Sequence, residues 1–183
     1  MPRVVLINGA PGSGKSTVAE LLARQTRLAL ALDIDLIKFA LGRWETDAAG
    51  AGYQARRLAL AMAEEHLRSG HDVMIGQYLA RTEFIEELER LAEKTKSAFF
   101  EFVLVVDHRT LISRLQRREA QPDRREHQVN SGLLSTEDVP ALVLSRERLM
   151  AQRSLAIPVD ASGAPADTVG LVRGYLSSSA QRP

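Results

Sequence analysis

The apolar residues of this chain fall into short continuous runs separated by segments with helical periodicity. The runs predict strands at residues 4–7, 28–32, 73–75, 99–106 and 156–159. Between them, apolar residues recur three or four positions apart, as in Val18, Leu21 and Leu22, which predicts amphipathic helices. Continuous apolar strands that alternate with helices are typical of a parallel sheet covered on both faces. We therefore predict an α/β fold.

The polar and small residues between these elements predict where the chain turns. Residues 47–52 (Asp-Ala-Ala-Gly-Ala-Gly) predict a mobile loop, with a helix following over 54–69. Residues 120–135 contain few apolar side chains and predict a long loop. Pro158 cannot donate to a neighbouring strand, so the fifth strand is expected at a sheet edge. A single domain is predicted over 1–176, with the last helix over 165–176 and a disordered tail at 177–183.

Composition narrows the class of protein further. The 183 residues are 45% hydrophobic and 26% charged with a net charge of +1, which is typical of a globular domain. A near-neutral chain lacks the general basic surface of a non-specific nucleic-acid binder. The absence of cysteine excludes disulfides and thiol nucleophiles. No apolar run approaches the roughly 20 residues that span a bilayer, and no secretory signal is visible. We expect a soluble, cytoplasmic protein.

The strongest chemical motif lies between the first strand and the first helix. There the sequence matches the phosphate-binding pattern G-x-x-x-x-G-K-[ST] in full. Backbone N–H groups of such a loop converge on phosphate oxygens, and the helix that follows adds the positive end of its dipole. Lys15 is expected to reach the β- and γ-phosphates, and Ser16 to ligate Mg²⁺; Thr17 is a further candidate for the α-phosphate. The nucleotide-binding residues predicted are Gly9, Ala10, Pro11, Gly12, Ser13, Gly14, Lys15, Ser16 and Thr17.

Two aspartates follow the second strand. Carboxylates two residues apart on a strand project to the same side, and at its carboxyl end they would face the triphosphate. In phosphoryl transfer to an alcohol, one carboxylate can take or orient the hydroxyl proton, and another can hold metal-bound water. Asp35 and Asp33 are the candidates for these roles, with Asp33 assigned to the metal-bound water. The structural alternative is that an aspartate here caps the helix that follows.

Two large classes of phosphate-binding protein do not fit the rest of the chain. A GTPase requires the base-reading sequence N-K-x-D, which does not occur. A motor of the AAA type requires a longer chain with a helical lid domain. The remaining candidates are kinases and related nucleotide-binding proteins.

The phosphate loop together with Asp33-Ile-Asp35 resembles the P-loop kinase group. That group includes chloramphenicol phosphotransferase, the zeta-toxin kinases, gluconate and adenylylsulfate kinases, and polynucleotide 5′-kinases. The resemblance extends over nearly the whole chain in element order, although these two motifs are its only sharp features. It implies ATP as the donor, with GTP left open, and a P-loop NTPase fold: a five-stranded parallel sheet in the order 2-3-1-4-5. It also implies that Asp35 acts on the acceptor hydroxyl.

The same resemblance implies an arginine-bearing lid after the fourth strand, at about residues 114–135. By that resemblance Arg114 would stack on the nucleotide base, and Arg118 or Arg117 would stabilise charge on the phosphoryl group in transfer. The alternative is a solvated basic helix face. Arg124, Arg125 and His127 fall on the lid and could close over phosphate. The segment 160–165 after the fifth strand resembles the one that contacts adenine.

Residues after the third strand are candidates for binding the acceptor, because related kinases use this loop for that purpose. Gln77 and Tyr78 offer hydrogen bonds and a ring face, and Arg81 could bind an anion. A buried tyrosine and a helix-start arginine are the structural alternatives. The strand lacks the aspartate and the Gly-Phe-Pro-Arg-like run of nucleoside-monophosphate kinases. Asp107, after the fourth strand, is predicted to cap a helix rather than to bind metal.

Three functional hypotheses follow. The leading one is an ATP- and Mg²⁺-dependent kinase that phosphorylates a hydroxyl of a small molecule such as an antibiotic, nucleoside or sugar-like metabolite. The second is a polynucleotide 5′-kinase, which near-neutral charge disfavours. The third is a regulatory or toxin-type nucleotide-binding protein with slow hydrolysis. We expect a small-molecule acceptor and no membrane partner; neither the acceptor's identity nor the oligomeric state can be read from the sequence.

Overall fold

The computed structural model describes residues 1–120 and 136–179, in which strands and helices alternate along the chain. The strands are β1 (Arg3–Gly9), β2 (Leu30–Leu32), β3 (Val73–Gly76), β4 (Ala98–Val105) and β5 (Ile157–Asp160). The helices are α1 (Lys15–Arg24), α2 (Ile34–Ala40), α3 (Ala48–Arg68), α4 (Glu83–Lys94), α5 (His108–Ala120), α6 (Val139–Gln152) and α7 (Pro165–Ser179). Short 3₁₀ helices at Trp44–Asp47 and Thr136–Asp138 precede α3 and α6.

The strands form a parallel sheet in the order β2-β3-β1-β4-β5. In the centre, Ile7 of β1 lies between Gly76 of β3 and Phe102 of β4. This order confirms the predicted P-loop topology. The carboxyl ends of parallel strands meet at one edge of the sheet, so the loops after β1, β2 and β3 come together there.

Helices cover both faces of the sheet because successive strand residues point to opposite sides. Val5 and Ile7 of β1 pack into an apolar cluster with residues of α1, α5, α6 and α7. Val4 and Leu6 pack into a second cluster, mainly with α3 and α4. All four β1 side chains are fully buried. The continuous apolar run in the sequence therefore reflects burial on both faces.

Pro158 lies on the outermost strand, as its missing donor predicted, and is paired with Val103 of β4. The backbone N–H of Ala161 donates to the Val105 carbonyl oxygen at 2.8 Å. Since hydrogen bonding alternates along a strand, residues 157, 159 and 161 face β4. The nitrogen of Pro158 therefore points away from the sheet.

Several predicted boundaries differ from the observed ones, and two of these differences have a clear physical reason. Residues 28 and 29 are not part of β2, because Leu28 adopts a left-handed backbone conformation (φ 54°) that ends the preceding turn. The predicted loop at 47–52 is instead the start of α3. Asp47 caps this helix by accepting the Gly50 N–H at 2.9 Å, and the alanines that suggested a loop favour the helix once it is capped.

The last helix continues to Ser179, three residues beyond its predicted end at Leu176. Ser178 contributes to this extension by donating its hydroxyl to the Gly174 carbonyl oxygen at 2.9 Å. Residues 180–183 of the predicted tail and 121–135 of the predicted lid lie outside the described residues, and so do Arg124, Arg125 and His127. None of the helices in the described ranges has both the length and the apolar composition needed to cross a membrane.

Candidate active site

The phosphate loop connects β1 to α1 with its backbone in conformations that favour glycine. Gly12 and Gly14 have φ angles of 84° and 95°, and Gly14 is the N-cap residue of α1. The Ser13 N–H donates to the Ala10 carbonyl oxygen at 3.1 Å, which closes the loop on itself. Ser16 and Thr17 lie half-buried in the first turn of α1. The positive end of the helix and the two hydroxyls are thus available to an anion.

Lys15 folds back over this loop, and its Nζ donates to the Ala10 carbonyl oxygen at 2.9 Å. Burial lowers the pKa of Lys15 to about 7, and the nearby Arg118 charge lowers it as well. Asp35 and Asp33 act in the opposite direction and raise the pKa. Two cations and two carboxylates therefore interact electrostatically around the phosphate loop. An arriving polyphosphate would add negative charge beside Lys15 and so favour its protonated form.

Ser13 is an unusual member of the loop because its side chain is buried without a partner. Its Oγ forms no hydrogen bond within the described structure. A Cβ on Gly9 would come within 2.8 Å of this oxygen, so the loop is tightly packed at its start. A buried hydroxyl without a partner is a local cost in free energy that a bound ligand or a water molecule can relieve.

The two aspartates after β2 have different positions. Asp33 is the N-cap of α2, and its Oδ1 accepts the N–H groups of Asp35 at 2.9 Å and Leu36 at 3.1 Å. The capping alternative is therefore correct for Asp33, while a bond to metal-bound water stays a prediction. Asp35 lies in the first turn of α2, lines a cavity and is near enough to Lys15 to raise its pKa.

That cavity has a volume of about 380 Å³ and lies between α2, α3 and the residue that follows β3. This volume is within the range of small-molecule binding sites. The predicted acceptor residues Asp35 and Gln77 both line it. The other lining residues are Ile34, Lys38, Ala48, Ala49, Gly52, Tyr53 and Arg56.

The remaining predicted acceptor residues lie elsewhere. The Tyr78 hydroxyl donates to Ser145 Oγ of α6 at 3.2 Å, and its ring packs against the apolar cluster beneath α1 and α6. Arg81 is exposed before α4. Neither lines the cavity with Asp35 and Gln77. Their roles in substrate binding stay predictions.

Sequence patterns did not identify Lys38 and Arg56 as site residues, since a cation on a helix surface has no motif. Asn8 was also missed as a site residue; the available signal was its position between the apolar run 4–7 and the glycine loop. Its Oδ1 accepts the N–H groups of Gly9 at 2.7 Å and Leu79 at 3.0 Å, and its Nδ2 donates to the Leu79 carbonyl oxygen at 3.1 Å. One buried amide thus fixes the start of the phosphate loop to the segment after β3.

Two arginines of α5, Arg114 and Arg118, lie near the phosphate loop. Arg114 donates to the carbonyl oxygens of Gly163 at 2.9 Å and Ser162 at 3.2 Å, and weakly to that of Ser13 at 3.5 Å. It therefore connects the phosphate loop to the segment predicted to contact adenine. Arg118 lies close enough to Lys15 to lower its pKa, whereas Arg117 is exposed.

Asp107 caps α5, as predicted, because its Oδ1 accepts the Thr110 N–H at 2.9 Å. Hydrogen bonds from Thr110, first from its side chain and then from this N–H, lower the pKa of Asp107. Within residues 1–120 and 136–179, no three His, Cys, Asp or Glu side chains are grouped to hold a metal ion. A cation at this site would thus depend on few protein ligands.

Comparisons with known proteins agree with this fold. A family described as AAA domain matches residues 4–138, a region that includes the phosphate loop, both aspartates and the cavity. No curated protein has a sequence significantly similar to the chain.

Several solved structures share the fold over almost their whole length. A gluconokinase from Sinorhizobium meliloti is 18% identical with a TM-score of 0.62, covering 100% of this chain and 98% of its own. A tunicamycin resistance protein from Deinococcus radiodurans is 13% identical with a TM-score of 0.66, covering 97% and 96%. A shikimate kinase from Bacteroides thetaiotaomicron is 18% identical with a TM-score of 0.61, covering 96% and 98%. At these identities the likeness shows a common fold, which is that of P-loop kinases.

Proposed function

Since the chain belongs to the AAA domain family and has the fold of P-loop kinases, we propose that it is an ATP-dependent kinase with a small-molecule acceptor. The reaction transfers the γ-phosphoryl group of ATP to a hydroxyl of that molecule. The solved relatives with this fold include two named as small-molecule kinases, the gluconokinase and the shikimate kinase.

The observation that carries the proposal is the position of Asp35. This carboxylate lines a cavity of metabolite size and lies near enough to Lys15 to raise its pKa. A carboxylate that lines the cavity and lies near Lys15 can direct an acceptor hydroxyl toward a phosphate held by the loop. A protein that only hydrolyses nucleotide has no need for a separate cavity beside such a carboxylate.

The phosphate loop supplies the groups that bind the triphosphate and the positive charge that faces it. Backbone N–H groups of residues 9–16 and the positive end of α1 bind the triphosphate. Lys15 leaves the Ala10 carbonyl oxygen and pairs with the β- and γ-phosphates. As charge develops in the transition state, Arg118 adds a second cation at the transferred group. Arg114 fixes the segment 162–163 against the loop, where the base would lie.

The residues present fit a magnesium ion. Oxygen donors suit this cation, and it commonly uses few protein ligands besides phosphates and water. Ser16 would ligate it directly, and Asp33 would act through a water molecule, using the oxygen atom that does not cap α2. When bound, the ion neutralises part of the triphosphate charge.

The chemical step needs no reactant other than ATP and the acceptor. The acceptor oxygen forms a bond to the γ-phosphorus as the bond from that phosphorus to the β-γ bridging oxygen breaks, leaving ADP. Asp35 accepts the hydroxyl proton. Gln77, which also lines the cavity, is available to orient the acceptor through its amide. These groups act by position and charge and form no covalent intermediate.

The test is a panel of hydroxylated metabolites and antibiotics, screened for stimulated ADP release with mass spectrometry of the product. At least one compound should accelerate release and gain a phosphoryl group. D35N should lose transfer by at least about 100-fold and still bind MgATP, whereas E87Q on the exposed face of α4 should retain activity. A turnover rate independent of every added compound would support the regulatory hypothesis instead. Phosphorylation of a 5′-hydroxyl oligonucleotide alone would support the polynucleotide hypothesis.

A further inference from the structure

Helices α3 and α2 form two walls of the acceptor cavity. On α3, residues Ala48, Gly52 and Arg56 are four positions apart, so they line one face of the helix. Small side chains on that face leave space beside α2. A Cβ added to Gly52 would have no atom of the described residues within 4 Å. The wall is therefore open in its middle and ends at an arginine.

The second wall carries a cation as well. Lys38 lies one turn beyond Asp35 on α2, and both residues line the cavity. Its Nζ lies 5.0 Å from the centre of the Trp44 ring, which itself packs on Phe39 at 5.0 Å. The guanidinium carbon of Arg56 lies 5.8 Å from the centre of the Phe84 ring. Both cations are thus supported by aromatic rings, and such contacts leave N–H groups available for hydrogen bonds.

Some basic residues in the described part of the chain form ion pairs with acidic groups, but these two cations do not. Arg3 pairs with Asp72, Arg68 and Lys94 with Glu64, and Arg153 with Glu89 and Glu101. Neither Lys38 nor Arg56 forms an ion pair with an acidic group in the described part of the chain. Two cations without counter-ions beside a cavity attract anionic ligands.

We propose that the acceptor is an anionic alcohol, a hydroxylated molecule that carries a carboxylate or phosphate group bound by Arg56 and Lys38. This inference rests on the proposed kinase function and adds the acceptor's chemical class. The guanidinium group suits either anion, because its fork of N–H donors matches two oxygens at once. The carboxylate of Asp35 repels the anionic group and thereby favours the orientation in which the hydroxyl faces Asp35.

The test compares matched pairs of compounds in the ADP-release assay: hydroxy acids against their amides, and phosphorylated alcohols against the free alcohols. Wild-type protein should use an anionic member at least about tenfold more efficiently than its neutral partner. R56Q and K38Q should raise KM at least about tenfold for anionic members and leave it unchanged for neutral ones. R68Q, with the same loss of charge on the far end of α3, is the matched control. The two kinds of pair distinguish carboxylate from phosphate.

A binding measurement decides the outcome even if no compound in the panel is phosphorylated. Thermal unfolding is followed with a non-hydrolysable MgATP analogue and each compound in turn. Anionic members should raise the Tm of wild-type and R68Q protein but not that of the R56Q/K38Q double variant. Stabilisation by neutral members alone, by none, or equally in the double variant would overturn the anionic-acceptor inference. Failure of the proposed function has a different signature: no Tm shift with the MgATP analogue by itself.

Discussion

At the scale of single residues, the site contains a group whose pKa differs from its ordinary value in water. This group is Lys15, because burial and Arg118 lower its pKa to about 7. In the nucleotide-free protein it is therefore largely neutral above that pH. Phosphate groups would restore its usual high pKa, so its protonation becomes part of nucleotide binding.

Binding of a non-hydrolysable MgATP analogue should accordingly take up close to one proton at about pH 8 and much less at about pH 5.5. At the lower pH Lys15 is already charged, which is the reason for the difference. Calorimetry in buffers of different ionisation enthalpy measures this uptake. K15R is the control, since arginine stays protonated throughout and should remove the difference between the two pH values. Equal uptake by wild type and K15R would show that another group titrates.

Asp33 combines a structural role with a predicted role at the metal, and two substitutions separate them. D33A should lower the free energy of unfolding by about 1 kcal/mol, because two N–H groups of α2 lose their acceptor. D33N retains a capping oxygen and should be nearly as stable as wild type, yet lose Mg²⁺-dependent turnover. Urea unfolding and Mg²⁺ titration of activity measure the two effects. Normal magnesium dependence in D33N would exclude the predicted role of Asp33 at the metal.

At the scale of elements, close packing aligns the phosphate loop with the sheet. Gly76, at the end of β3, lies directly beneath the start of α1. A Cβ there would lie 2.9 Å from the backbone atoms of Lys15 and from Ser16 Cα. Since backbone cannot rotate away as a flexible side chain can, only glycine allows this approach.

G76A should therefore displace the start of α1, lower stability by about 1–3 kcal/mol and weaken nucleotide binding. G52A is a matched control for the added methyl group, because the Cβ has space and alanine favours the helix. It should keep nucleotide affinity. Fluorescent-nucleotide titration and thermal unfolding measure both. Unchanged nucleotide affinity in G76A would mean that the loop does not depend on this contact.

A second element-scale contact joins α4, β4 and the end of α6. Arg153 donates to Glu101 Oε2 at 2.8 Å and to Glu89 Oε1 at 2.6 Å. Burial raises the pKa of Glu101, and its hydrogen bond with Arg153 lowers it. Removing the arginine would leave a buried carboxylate without its counter-ion.

R153M should thus cost about 3–5 kcal/mol near pH 8, with a smaller loss near pH 4. The sign follows from the raised pKa of Glu101. Protonation removes the buried charge at low pH, and the deficit grows as pH rises past the usual carboxyl range. Urea unfolding at both pH values measures it. Adding E101Q to R153M should recover much of the loss near pH 8, and a deficit independent of pH would exclude this explanation.

At the scale of the whole molecule, the strand order separates the cavity from the segment bound by Arg114 along the edge of the sheet where the strands end. The cavity and its carboxylate follow β2 and β3, the phosphate loop follows β1, and the segment bound by Arg114 follows β5. Donor and acceptor would thus approach the central strand from opposite sides. Asn8 connects the two sides directly through its three hydrogen bonds.

Much of this arrangement was predictable from the sequence, for identifiable reasons. The buried runs and the glycine loop have short-range signatures, so the strands and the phosphate loop followed from them, whereas the strand order came from the resemblance to P-loop kinases. The start of α3 did not follow from such signatures, because its alanines and glycines are compatible with loop or helix until Asp47 caps it. Lys38 and Arg56 were missed because their significance comes from two helices packing together, a contact between residues distant in sequence.

The outer strand β5 has a consequence for how the protein behaves at high concentration. The nitrogen of Pro158 faces outward and carries no hydrogen, so this edge of the sheet lacks one hydrogen-bond donor. A strand of a neighbouring molecule therefore pairs less well with β5 as a sixth strand. P158V would restore the donor while keeping the site apolar. Static light scattering should then show concentration-dependent association that the wild-type chain resists. Pro158 on the outer strand would thus reduce self-association of the protein.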